Sequence, residues 1–248
     1  MTFFKTIAVA FSTYSALPMP QFPWEERNMR YAICAFPLVG VVCGTALLLW
    51  HWICSRLGCS AVLFAAVAAC LPLLLTGGIH MDGFMDTVDA LASHQSRERK
   101  LEIMKDSACG AFAVLYCGMY LLVTFGLYHT VYTGAFWGCG LIFVCSRCLS
   151  GLCAVTMPNA RRAGMLQAFT DQAQKKRAVA LLLVLLALVA VPMVLLAPVS
   201  LILGLLTFLW YRWFARKQFG GVTGDTSGFF LQVCELTMLL GLWLGGLL

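Results

Sequence analysis

The sequence predicts an all-α protein: a polytopic integral membrane bundle of about seven transmembrane helices, with an active site facing the cytoplasm. Three observations support this prediction. Hydrophobic residues make up 61% of the 248 residues and charged residues only 11%, and the mean hydropathy is +0.85. These values are far more apolar than those of a soluble domain of this length. The chain also divides into long apolar runs, and its positive charges collect in alternate connections between them.

The N-terminal segment is apolar but short. It contains Lys5 and ends in Leu17-Pro18-Met19-Pro20 without a clear small-residue cleavage site, so a removable signal peptide is not expected. We predict an interfacial or re-entrant amphipathic segment here.

Seven apolar runs follow, each judged against the roughly 20 residues that a helix needs to cross a bilayer. We place the spans at 33–54, 60–76, 108–132, 134–155, 178–196, 199–214 and 229–248. No repeat or low-complexity tract separates them, so residues 1–248 are expected to form one domain.

Charge placement predicts the orientation of these spans, because Lys and Arg concentrate in cytoplasmic connections. With the N-terminus inside, fifteen of the 17 positive residues are cytoplasmic, leaving Arg56 outside and Arg147 within a span. Three polar segments, 77–107, 158–177 and 220–228, then share the cytoplasmic face. The net charge of +6 follows from topology, and no nucleic-acid partner is expected.

The first polar segment holds six of the eleven acidic residues. On a helix, Asp82, Asp86 and Asp89 would lie within roughly 60° of arc. Carboxylates on one face repel each other unless a cation lies among them, and Mg²⁺ takes oxygen ligands from carboxylates and phosphates. The pattern therefore favours a metal–diphosphate site over the alternative of a solvated acidic helix face.

Residues further along this segment extend the candidate site. Asp106 could supply a fourth metal ligand, and Lys105 beside it is a candidate for binding phosphate. His80, two residues before Asp82, is either a proton acceptor or a structural hydrogen-bonding residue. The bases Arg97, Arg99 and Lys100 are better explained as positive membrane anchors with acidic helical partners.

The glycine-rich run 220–228 is the second informative segment. Thr223, Gly224 and Asp225 lie just before a predicted span, in a pattern typical of a backbone nest that binds an anion. The alternative is a flexible turn capped by Asp225 or Ser227. Arg161 and Arg162 are weaker candidates for phosphate binding, because positive charges at the end of a span are expected anyway.

Two charges fall inside predicted spans, Arg147 in the fourth and Glu235 in the seventh. A structural ion pair and a role in lining a substrate pathway remain equal alternatives. The twelve cysteines fall mostly in apolar runs and are expected to be reduced packing residues.

The motifs together resemble a known family. Three motifs carry the resemblance, in this order: His80-Met81-Asp82-Gly83-Phe84-Met85-Asp86-Thr87-Val88-Asp89, Lys105-Asp106-Ser107 and Gly220-Gly221-Val222-Thr223-Gly224-Asp225. They are similar to motifs of cobalamin synthase, the adenosylcobinamide-GDP ribazoletransferase family. The similarity extends along the whole chain. Ala90 and Ala113 depart from it, because members usually have Gly at the first position and often at the second.

The resemblance implies an enzyme of the bacterial inner membrane. It implies the joining of adenosylcobinamide-GDP to α-ribazole or α-ribazole 5′-phosphate, with Mg²⁺ as cofactor and GMP released. Under this implication Asp82, Asp86 and Asp89 hold Mg²⁺, and Asp106 completes the metal shell or accepts the proton of the ribazole hydroxyl. The partners are these small molecules and the lipid bilayer, and a homo-oligomer is left open.

Two other functions fit parts of the pattern. A CDP-alcohol phosphotransferase also uses spaced aspartates at a membrane surface, but its DGxxAR signature is absent, since Phe84-Met85-Asp86-Thr87 follows Asp82-Gly83. A small-solute transporter could use Arg147 and Glu235, but polar residues here gather at one face rather than at the midplane.

Overall fold

The structure is a computed structural model that describes residues 2–23, 25–132, 136–161 and 164–247. Within those ranges it is built from helices joined by short connections: α1 (Thr2–Tyr14), α2 (Glu26–Met29), α3 (Ala32–Leu57), α4 (Ala61–Thr76), α5 (Ile79–Ala92), α6 (Arg97–Ile103), α7 (Ala111–Val131), α8 (Gly138–Thr156), α9 (Met165–Gln172), α10 (Lys175–Leu196), α11 (Pro198–Phe219) and α12 (Gly224–Gly245). The described residues contain no strand, only an isolated bridge between Asn159 and Val222. The predicted all-α architecture is confirmed.

Among the described residues, six helices are long and apolar enough to cross a membrane: α3, α7, α8, α10, α11 and α12. A seventh crossing is counted only if α4 and α5 are taken as a pair, and these two helices are bent by 95°. The prediction of about seven spans is therefore confirmed. The second predicted span was wrong as a straight crossing, because α4 has 16 residues and falls short of the roughly 20 required.

Two consecutive glycines produce the bend between α4 and α5. Gly77 and Gly78 have φ angles of 64° and 77°, in the left-handed region that residues with a Cβ avoid. The Gly78 N–H donates to the Leu73 carbonyl at 2.9 Å, which closes the end of α4. Helix α5, which contains the acidic residues, therefore runs at a large angle to the axis of α4.

Helix α8 lies at the centre of the bundle and α10 at its periphery. In their most apolar windows, 89% of the α8 residues are buried against other helices but only 11% of the α10 residues. An exposed surface as apolar as that of α10 would be unfavourable in water, so it is suited to contact with lipid.

The two charges inside the bundle form an ion pair. Arg147 on α8 and Glu235 on α12 approach to 2.6 Å between Nη1 and Oε1, with side chains only 1% and 9% exposed. Ser146 Oγ donates a second hydrogen bond to the same carboxylate at 3.0 Å. The structural alternative is thus the one observed, since each charge in the apolar interior has its partner.

The N-terminal helix α1 does not cross the bundle, because its 13 residues are too few. It packs against α3, with Ala8, Val9 and Ala10 buried. The Ala16 N–H donates to the Leu75 carbonyl at 2.9 Å, so the segment after α1 reaches the corner between α4 and α5.

All twelve cysteines are free thiols, most of them buried or half-buried. Their burial agrees with the expected role in packing, except at exposed Cys70 and Cys109, and their reduced state stays a prediction.

Candidate active site

The three polar segments meet at one end of the bundle. The Ala160 N–H donates to the Val222 carbonyl and the Val222 N–H to the Pro158 carbonyl, each at 2.9 Å. On the other side, Lys100 Nζ of α6 donates to Gln218 Oε1 near the end of α11 at 2.7 Å. The predicted gathering of these segments is therefore present in the fold.

Two glycines allow α5 and α12 to cross in backbone contact. A Cβ added to Gly83 would lie 2.8 Å from the Cα of Asp225, and one added to Gly228 would lie 2.8 Å from the carbonyl oxygen of His80. Real Cβ atoms do not approach other heavy atoms this closely, so only glycine fits at both positions. The crossing brings Asp225 and the acidic helix together.

Helix α12 begins earlier than predicted, at Gly224 rather than at residue 229. The second part of the glycine-rich run, 224–228, therefore belongs to the start of the helix, and residues 220–223 precede it. The N-cap of α12 is Thr223, whereas the alternative interpretation of a flexible turn had named Asp225 or Ser227. Thr223 Oγ1 accepts from the Thr226 N–H at 3.1 Å, and the Thr223 N–H donates to Thr226 Oγ1 at 2.8 Å. This reciprocal pair fixes the helix start, where the dipole favours an anion.

A cavity of about 300 Å³ opens at this crossing. Six of the predicted site residues line it: His80, Asp82, Arg161, Thr223, Gly224 and Asp225. Arg161 Nη1 forms an ion pair with Asp225 Oδ2 at 2.8 Å. Arg162 lies outside the described residues.

Other residues that line the cavity were not predicted as site residues. They are polar or aromatic side chains from distant parts of the chain: Tyr14, Ser150, Asn159, Gln167 and Ser227. A serine inside the apolar α8 was a usable signal for Ser150. Gln167 had none, because only the fold brings α9 to the cavity.

The four predicted metal-binding aspartates do not converge on one point. Asp82 lines the large cavity, whereas Asp86, Asp89 and Asp106 line a neighbouring cleft of about 250 Å³. Among the described residues, no three His, Cys, Asp or Glu side chains are arranged to hold one ion. The single four-aspartate cluster is therefore not assembled, and the binding of Mg²⁺ stays a prediction.

Asp89 caps a helix instead. Its Oδ2 accepts from the Gly110 N–H at 2.6 Å and its Oδ1 from the Ala113 N–H at 2.9 Å. Both donors are at the start of α7, where backbone N–H groups lack partners within the helix. These bonds give Asp89 a structural role that spacing alone did not reveal.

Asp86 has the clearest electrostatic anomaly of the acidic helix, which lies outside the six spanning helices. Burial, together with the negative charges of Asp82 and Asp225, raises the pKa of Asp86 to about 7, and Arg161 offsets this only in part. A group of carboxylates whose negative charge is only partly offset favours a bound cation, and hard carboxylate oxygens suit Mg²⁺. The donor set therefore fits an ion held by one or two carboxylates and completed by substrate oxygens.

His80 is buried between aromatic rings, 6.4 Å from the Tyr14 ring centroid and 5.6 Å from that of Phe36. Burial, with a smaller effect of Arg147, lowers the pKa of His80 to about 3. A neutral imidazole with so low a pKa is a poor general base, so its environment favours a hydrogen-bonding role.

The remaining basic candidates are peripheral. Lys105 is exposed near Asp106, and Arg99 pairs with Glu102 on the exposed face of α6 at 2.8 Å. Arg97 Nε donates to the Lys217 carbonyl at 3.0 Å. Arg99 therefore has the acidic helical partner that was expected, whereas Arg97 and Lys100 contact α11, and Lys100 is buried. Their role as positive membrane anchors stays a prediction.

Comparison with known proteins identifies one family. The sequence profile described as cobalamin-5-phosphate synthase matches residues 6–243. A protein of Lachnoclostridium phytofermentans named adenosylcobinamide-GDP ribazoletransferase is 40% identical over 240 residues, covering 95% of this chain and 92% of its own. Proteins of the same name from Clostridium perfringens and Pseudomonas putida are 31% and 37% identical, covering 97% and 88% of this chain and 98% and 89% of their own. No solved structure matches.

Proposed function

We propose a transferase function on the premise that this chain belongs to the cobalamin-5-phosphate synthase family. The chain joins adenosylcobinamide-GDP to α-ribazole or α-ribazole 5′-phosphate and releases GMP. The products are adenosylcobalamin or its 5′-phosphate. The alternative of a CDP-alcohol phosphotransferase has no structural feature that favours it here.

The observation that carries this proposal is the composition of the large cavity. Asp82 on α5 and Asp225 on α12 face it together with Arg161 and the first turn of α12. A diphosphate is bound and activated by groups of this kind: carboxylates that hold a cation, a guanidinium, and the backbone N–H groups at the N-terminus of a helix.

Mg²⁺ is part of the proposal. Asp82 and Asp86, one helical turn apart on α5, would hold it with Asp225 nearby. When bound, the ion would offset the negative charge of the diphosphate oxygens. Arg161 and the N-terminal turn of α12 bind the same phosphates from the protein side.

The transfer is one displacement at phosphorus. The ribazole hydroxyl oxygen forms a bond to the phosphorus nearer cobinamide, and the bond from that phosphorus to the bridging oxygen breaks, so GMP leaves with that oxygen. We assign the hydroxyl proton to Asp106, which lies in the cleft beside Asp86. Arg161 stabilises the departing GMP phosphate.

We further propose that the site faces the cytoplasm of the bacterial inner membrane. The positive residues at the site end of the bundle support this orientation. The orientation is measured with a cysteine introduced at exposed Lys105. An impermeant thiol reagent is added to one side of sealed vesicles at a time, and labelling is compared between the two sides. Labelling only from the periplasmic side would contradict it.

The activity test uses the purified chain in detergent or nanodiscs. With adenosylcobinamide-GDP, α-ribazole and Mg²⁺, we expect stoichiometric GMP and cobalamin, separated by chromatography. Chelation by EDTA should abolish both products, and readdition of Mg²⁺ should restore them. Asp82→Asn should abolish turnover while leaving the size-exclusion profile unchanged. Product formation in EDTA, or wild-type turnover by Asp82→Asn, would remove the metal from the proposal.

A transporter function is not supported by the contacts of Arg147 and Glu235. The two side chains are bonded to each other in the bundle interior. Neither borders the 300 Å³ cavity in the part of the chain that the structure describes.

A further inference from the structure

Three buried polar atoms belong to residues that line the 300 Å³ cavity, and none has a hydrogen-bond partner among the described residues. They are Nε2 of His80, Oδ1 of Asn159 and Oε1 of Gln167. His80 is only 6% exposed. Native proteins rarely leave buried polar atoms unpaired, because each costs the loss of its hydration. Three such atoms around one cavity indicate a ligand that supplies their partners.

The contacts of Asn159 determine which end of its amide is left without a hydrogen-bond partner. Thr170 Oγ1 donates its hydroxyl hydrogen to the Gln167 carbonyl at 3.2 Å, so it can only accept from Asn159. Asn159 Nδ2 donates to it at 2.8 Å. The amide is therefore held with Nδ2 towards Thr170, and Oδ1 is presented as a hydrogen-bond acceptor.

The cavity walls suit a flat ring. Tyr14 and Phe36 pack with ring centroids 4.4 Å apart, and His80 contacts both. Leu166 and Leu231 add apolar surface. Aromatic and apolar walls with a few polar atoms are typical of sites that bind heterocyclic bases.

The polar atoms discriminate between the heterocycles of the proposed reaction. Two amide oxygens require a ring with N–H donors. The guanine of the donor substrate has such donors at N1 and at the exocyclic amino group. The benzimidazole of α-ribazole has none, because its two nitrogens are the glycosidic nitrogen and an acceptor. An adenine ring fits less well, because its N1 is an acceptor and cannot form a hydrogen bond with an amide oxygen, which is also an acceptor.

We propose that this cavity is a guanine subsite, in which Asn159 Oδ1 and Gln167 Oε1 accept hydrogen bonds from the N1–H and amino groups of the GMP moiety. His80, as the Nε2–H tautomer, donates to the guanine O6. The GMP phosphate then lies towards Arg161 and the start of α12, which line the same cavity. The inference rests on the proposed function, since the guanine belongs to the donor substrate.

Binding of mononucleotides to the full chain tests the subsite without turnover. With Mg²⁺ present, calorimetry on the detergent-purified protein should show GMP binding about 10- to 100-fold more tightly than IMP, which lacks the amino group and leaves an acceptor unpaired. AMP should bind more weakly than either. Gln167→Met and Asn159→Ala should weaken GMP binding, and at least one should bring GMP down to the affinity of IMP.

Exposed Gln95, in the connection between α5 and α6, provides the matched control. Gln95→Met should keep the wild-type preference for GMP. Equal affinities of the wild type for GMP and IMP, or no measurable GMP binding, would overturn the subsite. A wild-type preference in both cavity variants would overturn the assignment of these two residues.

The same preparation is assayed for transfer, which separates this inference from the proposed function. Absence of cobalamin product together with a preference for GMP would reject the transferase and retain the subsite. Product formation without any preference for GMP over IMP would retain the transferase and reject the guanine subsite.

Discussion

Arg161 and Asp225 form an ion pair, 2.8 Å between Nη1 and Oδ2, that joins the segment after α8 to the first turn of α12. Both side chains are about one-fifth to one-quarter exposed, at 22% and 24%, and both line the large cavity. The pair places a positive charge at a helix start that already favours anions. The arrangement keeps phosphate-binding groups and carboxylates in one place without neutralising either set completely.

Arg161→Ala should lower kcat/KM for the donor substrate by about 100-fold, because a charged donor to the departing phosphate is lost. Arg161→Lys should recover only part of this, since an ammonium cannot form the two parallel bonds of a guanidinium. The measurement is steady-state GMP release. Arg99→Ala, which breaks an exposed pair on α6, should leave the rate unchanged. An equal loss in Arg99→Ala would mean that general positive charge, not this site, is responsible.

Asp89 and Asp82 should respond differently to substitution. Asp89→Ala should lower stability by about 1–2 kcal/mol, because the start of α7 loses its cap. Asp82→Asn should leave stability unchanged, because Asp82 is an exposed residue that lines the cavity. Thermal unfolding in detergent, followed by tryptophan fluorescence, measures both. An unchanged unfolding temperature for Asp89→Ala would refute the capping role.

The buried pair Arg147–Glu235 should be far more sensitive to loss of one partner than of both. Arg147→Met or Glu235→Gln alone should destabilise the protein by about 3–5 kcal/mol, because a charge is left unpaired in the interior. The double variant should be more stable than either single variant. The fraction that stays monodisperse after heating is the readout. A double variant less stable than both single variants would show that the two side chains contribute independently, not as a charge pair.

The contact between α5 and α12 should not tolerate a methyl group. Gly83→Ala and Gly228→Ala should each abolish activity or folding, because the new Cβ would overlap with backbone atoms of the opposite helix. Gly118→Ala on α7 is the control, since its Cβ would meet no heavy atom within 4 Å. That variant should be neutral or slightly stabilising. Wild-type activity in Gly83→Ala would show that the helices can separate without loss of the site.

The sequence by itself determined the class of protein, the approximate spans and the acidic and glycine-rich segments that form the site. Composition, run length and short-range spacing are local properties, so they could be interpreted without the fold. The same spacing did not reveal the capping role of Asp89, because its carboxylate accepts hydrogen bonds from backbone N–H groups 21 and 24 residues away.

Tertiary structure alone decided which side chains share the cavity. Tyr14, Asp82, Asn159, Gln167 and Asp225 come from five separate parts of the chain. Their meeting depends on the glycine contact between α5 and α12 and on the bridge between Asn159 and Val222. Such contacts are set by the packing of whole helices, and no local pattern encodes the distance between residues so far apart in sequence.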